Sequence, residues 1–171
     1  IQELLTKEDS ENARFNEVHD LLRLKSDQFL FEDKKNLFIA LINYCIDLQI
    51  NKGNTDFFKI LFDIYQTALF QKIFHNNKVL HFQSYKNIIT VGLYIREFEW
   101  VENFIIKFTN ELQENLRENA ANYNLAKLAY KKKEYDKVIS LMSVVTYDNV
   151  NYALGSRMFL LRTYFEMDSE T

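Results

Sequence analysis

An all-α chain of about eight helices is what this sequence predicts, and three observations predict it. Proline is absent and glycine occurs 3 times in 171 residues, too few turn formers for a β-rich fold with many tight turns. Apolar residues recur at helical spacing almost throughout, with no sustained strand alternation. With 47% hydrophobic residues, among them 15 Phe and 10 Tyr, the chain also has ample material for a core, which excludes a disordered tail.

The first helix is expected over Glu11 to Lys25, with Phe15, Val18 and Leu22 on one stripe and Ser10 or Thr6 as N-cap. The second, Lys34 to Asn51, carries Leu37, Leu41, Tyr44 and Leu48 beside Phe38, Ile42 and Cys45, two stripes that imply contacts on two sides. Gly53 supplies a stop, Asn54 or Thr55 a cap and Asp56 a first-turn charge, so a third helix runs to Ile73. His75 to His81, interrupted by Asn76 and Asn77, is a loop. Ser84 caps a fourth helix to Ile95, and a fifth from Phe98 to Leu112 has Phe98, Val101, Ile105 and Phe108 on its seam. Helices over Glu118 to Lys132, Tyr135 to Val145 and Val150 to Met167 complete the set.

The segment Tyr123 to Ile139 resembles the tetratricopeptide repeat. Leu125 and Ala126 match the large-then-small pair of that repeat's first helix, Tyr135 matches the aromatic after the turn, and Val138 stands where the second helix usually has Ala. The preceding unit repeats the pattern through Ile88, Ile89 and Phe98, and a following one begins at Leu160, 35 positions after Leu125. Lys34 to Ile73 fits as a degenerate hairpin through Ile39, Ala40 and Phe57, while the proline that usually ends each repeat is missing. The runs Asn43-Tyr44-Cys45, Lys86-Asn87-Ile88-Ile89 and Tyr123 to Lys127 also resemble a family of larger, uncharacterised proteins with divergent repeats of this type.

The resemblance implies antiparallel helix hairpins stacked as a right-handed α-solenoid, divided into an N-terminal capping helix region (1–33), a degenerate hairpin and loop (34–81) and tetratricopeptide-like repeats (82–171), the last one truncated. It further implies a concave surface lined by the first helix of each pair. Lys86, Asn87, Thr90 and Tyr94, then Tyr123, Asn124, Lys127, Tyr130 and Lys131, then Met158, Arg162 and Phe165 are its candidate groove residues. Such a set suits a protein or peptide partner, through amides to its backbone and cations to its carboxylates. The same residues also read as inter-helix hydrogen bonds and ordinary solvated charge.

Other function classes find little support. A formal net charge of −3 lacks the basic footprint of a nucleic-acid binder, although Tyr123, Lys127, Tyr130 and Lys131 interleave as some RNA-binding repeats do. No glycine-rich phosphate loop, paired-cysteine zinc pattern or HExxH motif occurs, so no cofactor or metal is expected and the chain reads as no enzyme. His75 and His81 flank one loop without an acidic cluster, and Glu97, Glu99 and Glu102 read as solvated helix-end charge. Cys45 lies in an apolar run and reads as a small buried hydrophobe. No run approaches the ~20 apolar residues that span a bilayer, so membrane insertion is not expected and the cytoplasm is the expected location. The sequence opens on Ile1, which reads as a trimmed start. Two rivals stay open: an assembly module whose Phe159 and Phe165 stack on absent C-terminal repeats or another copy, and an enzyme with a dispersed site.

Overall fold

The structure, a computed structural model, describes the backbone of residues 2–145 and 150–169, and the side chains of residues 13–25, 27–145 and 155–168. It is all-α, with eight α-helices among the described residues and very little strand. None of these helices is long and apolar enough to cross a membrane. The chain forms two compact units that divide between His75 and Asn76.

In the first unit, α1 (Gln2–Lys25) starts earlier than its periodicity predicts, so Thr6 and Ser10 fall inside the helix; their side chains lie outside the described residues. Phe15 and Leu22 are buried as expected, while Val18 is half-buried. A 3₁₀ turn at Ser26–Gln28 leads to α2 (Phe31–Asn43), which continues as a π turn over Tyr44–Gln49 and a 3₁₀ turn over Ile50–Lys52. The π turn explains where the expected stripe fails. Its wider winding rotates the following side chains, so Leu41, Cys45 and Gln49 point inward, four apart, and Leu48 is exposed. Gln49 is a buried amide held at both ends: it donates to the Tyr44 hydroxyl at 3.0 Å and accepts from Asn54 Nδ2 at 3.0 Å.

Gly53 stops this helix at φ 95°, a left-handed conformation in which any Cβ is strained. α3 (Phe57–Phe70) follows and buries Leu61, Ile64, Tyr65 and Ala68. Phe15, Tyr44 and Phe57 pack as an aromatic trio with centroids 4.8 to 6.2 Å apart, joining the three helices. His19 Nε2 lies 3.3 Å from Asp63 Oδ2 across α1 and α3. The Cys45 thiol is fully buried and desolvation pushes its pKa up to about 12, which leaves it protonated and inert.

The expected loop is a tight hairpin, β1 (His75–Asn76) and β2 (Val79–Leu80), turning on Asn77 and Lys78, both at positive φ. The second unit then contains α4 (Phe82–Tyr94), α5 (Phe98–Phe108, prolonged by a 3₁₀ turn at Thr109–Glu111), α6 (Glu114–Lys131), α7 (Tyr135–Ser143) and α8 (Val150–Ser169). α4 begins two residues before Ser84, which therefore does not cap it, and α6 begins four residues before Glu118. Three-residue connections between contacting helices make α4/α5 and α6/α7 antiparallel hairpins.

Both hairpin turns have the same backbone. Arg96 takes a left-handed φ of 66°, its N–H bonds Leu93 O, and Glu97 N–H bonds Gly92 O at 2.9 Å. The second turn repeats this 37 positions on: Lys133 at φ 62° bonds Tyr130 O, and Glu134 N–H bonds Ala129 O at 2.9 Å. This pair of bonds is the Schellman termination, which satisfies the last carbonyls of a helix. Gly92 is buried and supplies one of those carbonyls.

The faces these turns bring together differ in size. In α4/α5, Tyr85, Ile88 and Ile89 are buried, and Tyr85 packs 5.4 Å from Phe104. The one proton of the Thr109 hydroxyl goes to Ile105 O at 2.7 Å, so Tyr85 donates to Thr109 at 2.9 Å. In α6/α7, Ala126 and Ala129 meet Val138, Met142 and Val145, small residues that allow close helix approach. Phe159 and Leu160 of α8 pack against the same cluster.

Candidate functional site

α4, α6 and α8 are the leading helices of the repeat pattern, and their side chains meet side by side. Lys127 of α6 donates to Thr90 Oγ1 of α4 at 3.3 Å, a pairing of residues 37 apart. The Thr90 hydroxyl itself donates to Lys86 O at 2.9 Å, which leaves its lone pairs for Lys127. Lys86 is half-buried with its ammonium 5.4 Å from the Phe82 ring centroid. Burial lowers the pKa of Lys127 below the ordinary lysine value, and the charges of Lys86 and Lys131 lower it further. These three lysines form a concentrated patch of positive charge on a chain that is acidic overall.

The other candidates divide between surface and interior. Asn87 is half-buried and accepts from Gln83 Nε2 at 2.8 Å, while Tyr94 and Lys131 are exposed. Asn124 is 1% exposed and donates to Ala120 O of its own helix at 2.8 Å, so it serves the packing of α6. Its expected place beside Asn87 on an outer surface is therefore not where the fold puts it. The Tyr123 hydroxyl approaches Gly155 so closely that a Cβ there would lie 3.3 Å from it, and desolvation raises its pKa.

A second cluster joins α6, α7 and α8. The hydroxyl of Tyr130 donates to Glu166 Oε1, Tyr135 donates to Glu166 Oε2 at 3.2 Å, and Arg162 Nε lies 3.4 Å from Oε1. The Arg162 guanidinium also lies 5.3 Å from the Tyr130 ring centroid. Burial and the bond to Glu166 push the Tyr130 hydroxyl up to about 12. The same bond from Tyr130 holds the Glu166 carboxyl below the usual range, aided by Tyr135 and Arg162. Sequence reasoning missed Glu166; its signal is an offset of 36 from Tyr130, which also relates Tyr123 to Phe159, whose rings lie 6.4 Å apart. That spacing differs by one from the 35 read between Leu125 and Leu160.

Other concavities lie away from the lysine patch. One of about 400 Å³ opens between the β-hairpin tip and the start of α6 near His81 and Gln113. An apolar groove of about 290 Å³ runs between α1 and α2, lined by Val18, Leu37, Leu41 and Leu48 among others. Neither contains a candidate groove residue. Among the described residues, no three His, Cys, Asp or Glu side chains converge to hold a metal ion. No family model, curated protein or solved structure matches the chain.

Proposed function

We propose that the chain is a protein-interaction or scaffold segment of the tetratricopeptide-like class, its hairpins stacked as a right-handed α-solenoid. The leading-helix face bearing Lys86, Thr90, Lys127 and Lys131 takes a carboxylate-rich peptide or protein surface. One observation carries this reading: Lys127 bridges to Thr90 while Lys86 and Lys131 stand close enough to disfavour its charge. A docked carboxylate relieves that repulsion and converts it into binding energy. A cytoplasmic setting fits the single buried Cys45.

The experiment is fluorescence anisotropy with a panel of acidic and charge-neutralised peptides at two salt concentrations. Acidic peptides bind, more weakly at high salt, and Lys127→Ala costs about 1.5 kcal/mol, or more than tenfold in affinity. Asn124→Ala lowers thermal stability and leaves affinity unchanged, because its amide faces the interior. Affinity that ignores both salt and Lys127→Ala removes the proposal.

A further inference from the structure

Lys86, Lys127 and Lys131 stand together without an acidic partner. The chain has 24 acidic residues against 21 lysines and arginines, yet among the described residues none of these three is paired with a carboxylate. Lys127 is half-buried, and its Nζ rests 3.3 Å from Thr90 Oγ1. The Thr90 proton is committed to Lys86 O at 2.9 Å, so Lys127 donates whether it is an ammonium or a neutral amine. As an amine it spends one N–H on that contact and keeps its lone pair clear of it. Lys131 lies one helical turn from the contact along α6, and Lys86 one turn from it along α4. Burial, then the charges of Lys86 and Lys131, lower the pKa of Lys127, so more of it is uncharged at neutral pH than of an ordinary lysine.

We infer that Lys127 is an acyl acceptor for acyl phosphates, the mixed anhydrides of a carboxylic acid and phosphate, with Lys86 and Lys131 holding the phosphate of the donor. A lysine becomes a nucleophile when a dry setting or a neighbouring cation keeps it unprotonated, and Lys127 has both. The donor is an anion, and the two flanking ammonium groups attract its phosphate oxygens and offset the charge that builds on the leaving group. An uncharged acyl donor gains nothing from them. In the reaction the Nζ lone pair attacks the carbonyl carbon and the C–N bond forms. The bond from that carbon to the bridging oxygen breaks, its electron pair leaves on inorganic phosphate, and the nitrogen releases one proton to solvent. Nothing is oxidised or reduced, and no further reactant is needed. The amide that results is uncharged, so acylation cancels one of the three positive charges on the lysine face. That consequence for docking rests on the function proposed above, while the reaction itself does not.

The probe is acetyl phosphate, incubated with the whole chain near neutral pH and read by peptide mapping in a mass spectrometer, with the exposed Lys59 of α3 as internal reference. Lys127 should acetylate at least tenfold faster than Lys59. Lys86→Gln and Lys131→Gln should each slow it at least threefold, because each removes a cation that both holds the phosphate and keeps the amine uncharged; circular dichroism confirms that the two variants fold. With the uncharged donor N-hydroxysuccinimidyl acetate the preference for Lys127 should shrink to a few fold. Three results overturn the inference: Lys127 reacting no faster than Lys59, a rate indifferent to both glutamine substitutions, or an equal preference toward the uncharged donor. The acetylated chain is then titrated with an acidic peptide, whose binding should weaken. Acetylation that leaves this affinity unchanged upholds the acceptor and overturns the docking reading alone.

Discussion

The two units share one way of ending a helix, and α2 of the first unit departs from it. In the first, α2 winds through a π turn and a 3₁₀ turn before Gly53 halts it, and α3 ends at a left-handed Lys72. In the second, α4 and α6 end as α3 does, on a left-handed cationic residue whose N–H bonds the carbonyl three positions back while the next N–H bonds the one five positions before it. Meanwhile the faces joined by those two turns share little, Ile88 and Ile89 in one hairpin against Leu125 and Ala126 in the other. The comparison teaches that one turn geometry recurs at three helix ends while the side chains around it differ in volume.

The most forceful way to break the comparison is to empty each core in turn. Leu61→Ala in α3 and Ile88→Ala in α4 remove fully buried side chains, and each should cost about 2–5 kcal/mol. Hydrogen exchange should show lost protection over residues 57–70 for the first and over 82–108 for the second; matching losses in both units would merge them into one cooperative whole.

The turns themselves sharpen the contrast with effects of opposite sign. Gly53→Ala forces a Cβ into φ 95° and should destabilise by about 1 kcal/mol. Lys133→Gly at φ 62° removes an existing strain and should stabilise by about 0.5 kcal/mol, the relief exceeding the entropy that glycine adds to the unfolded chain. Thermal melts read both, and a loss at Lys133→Gly would show that the lysine side chain holds the turn.

The smallest effect is electrostatic and local. Glu166 titrates below its ordinary value of 4.5 when folded, so the tie from Tyr130 and Tyr135 is intact above that value. It is lost as pH falls through the lowered one. Exchange protection in α8 should decline over that acid range while α3 holds. In Glu166→Gln the decline should vanish, and its persistence would place the titration elsewhere.

The helices of the second unit were legible because their apolar spacing and turn residues agree. Less was legible where tertiary geometry overrode local pattern. The π turn shifts inward positions from Leu48 to Gln49, a change no periodic template contains. Asn87 and Asn124 share residue type and repeat position, yet Asn124 is buried while Asn87 is half-buried. Of the candidate surface, Lys127 meets Thr90 with Lys86 nearby, and Tyr130 with Arg162 converges on a glutamate that no motif flagged.

The inward turn of Cys45 gives the first unit a built-in reporter. The chain has one sulfhydryl, closed off from solvent and held in its unreactive form, so a colourless disulfide reagent can consume it only during moments when α2 swings away from its neighbours. Colour released over time thus counts openings in an otherwise unlabelled molecule, and a ligand acting on that unit would announce itself by slowing the clock.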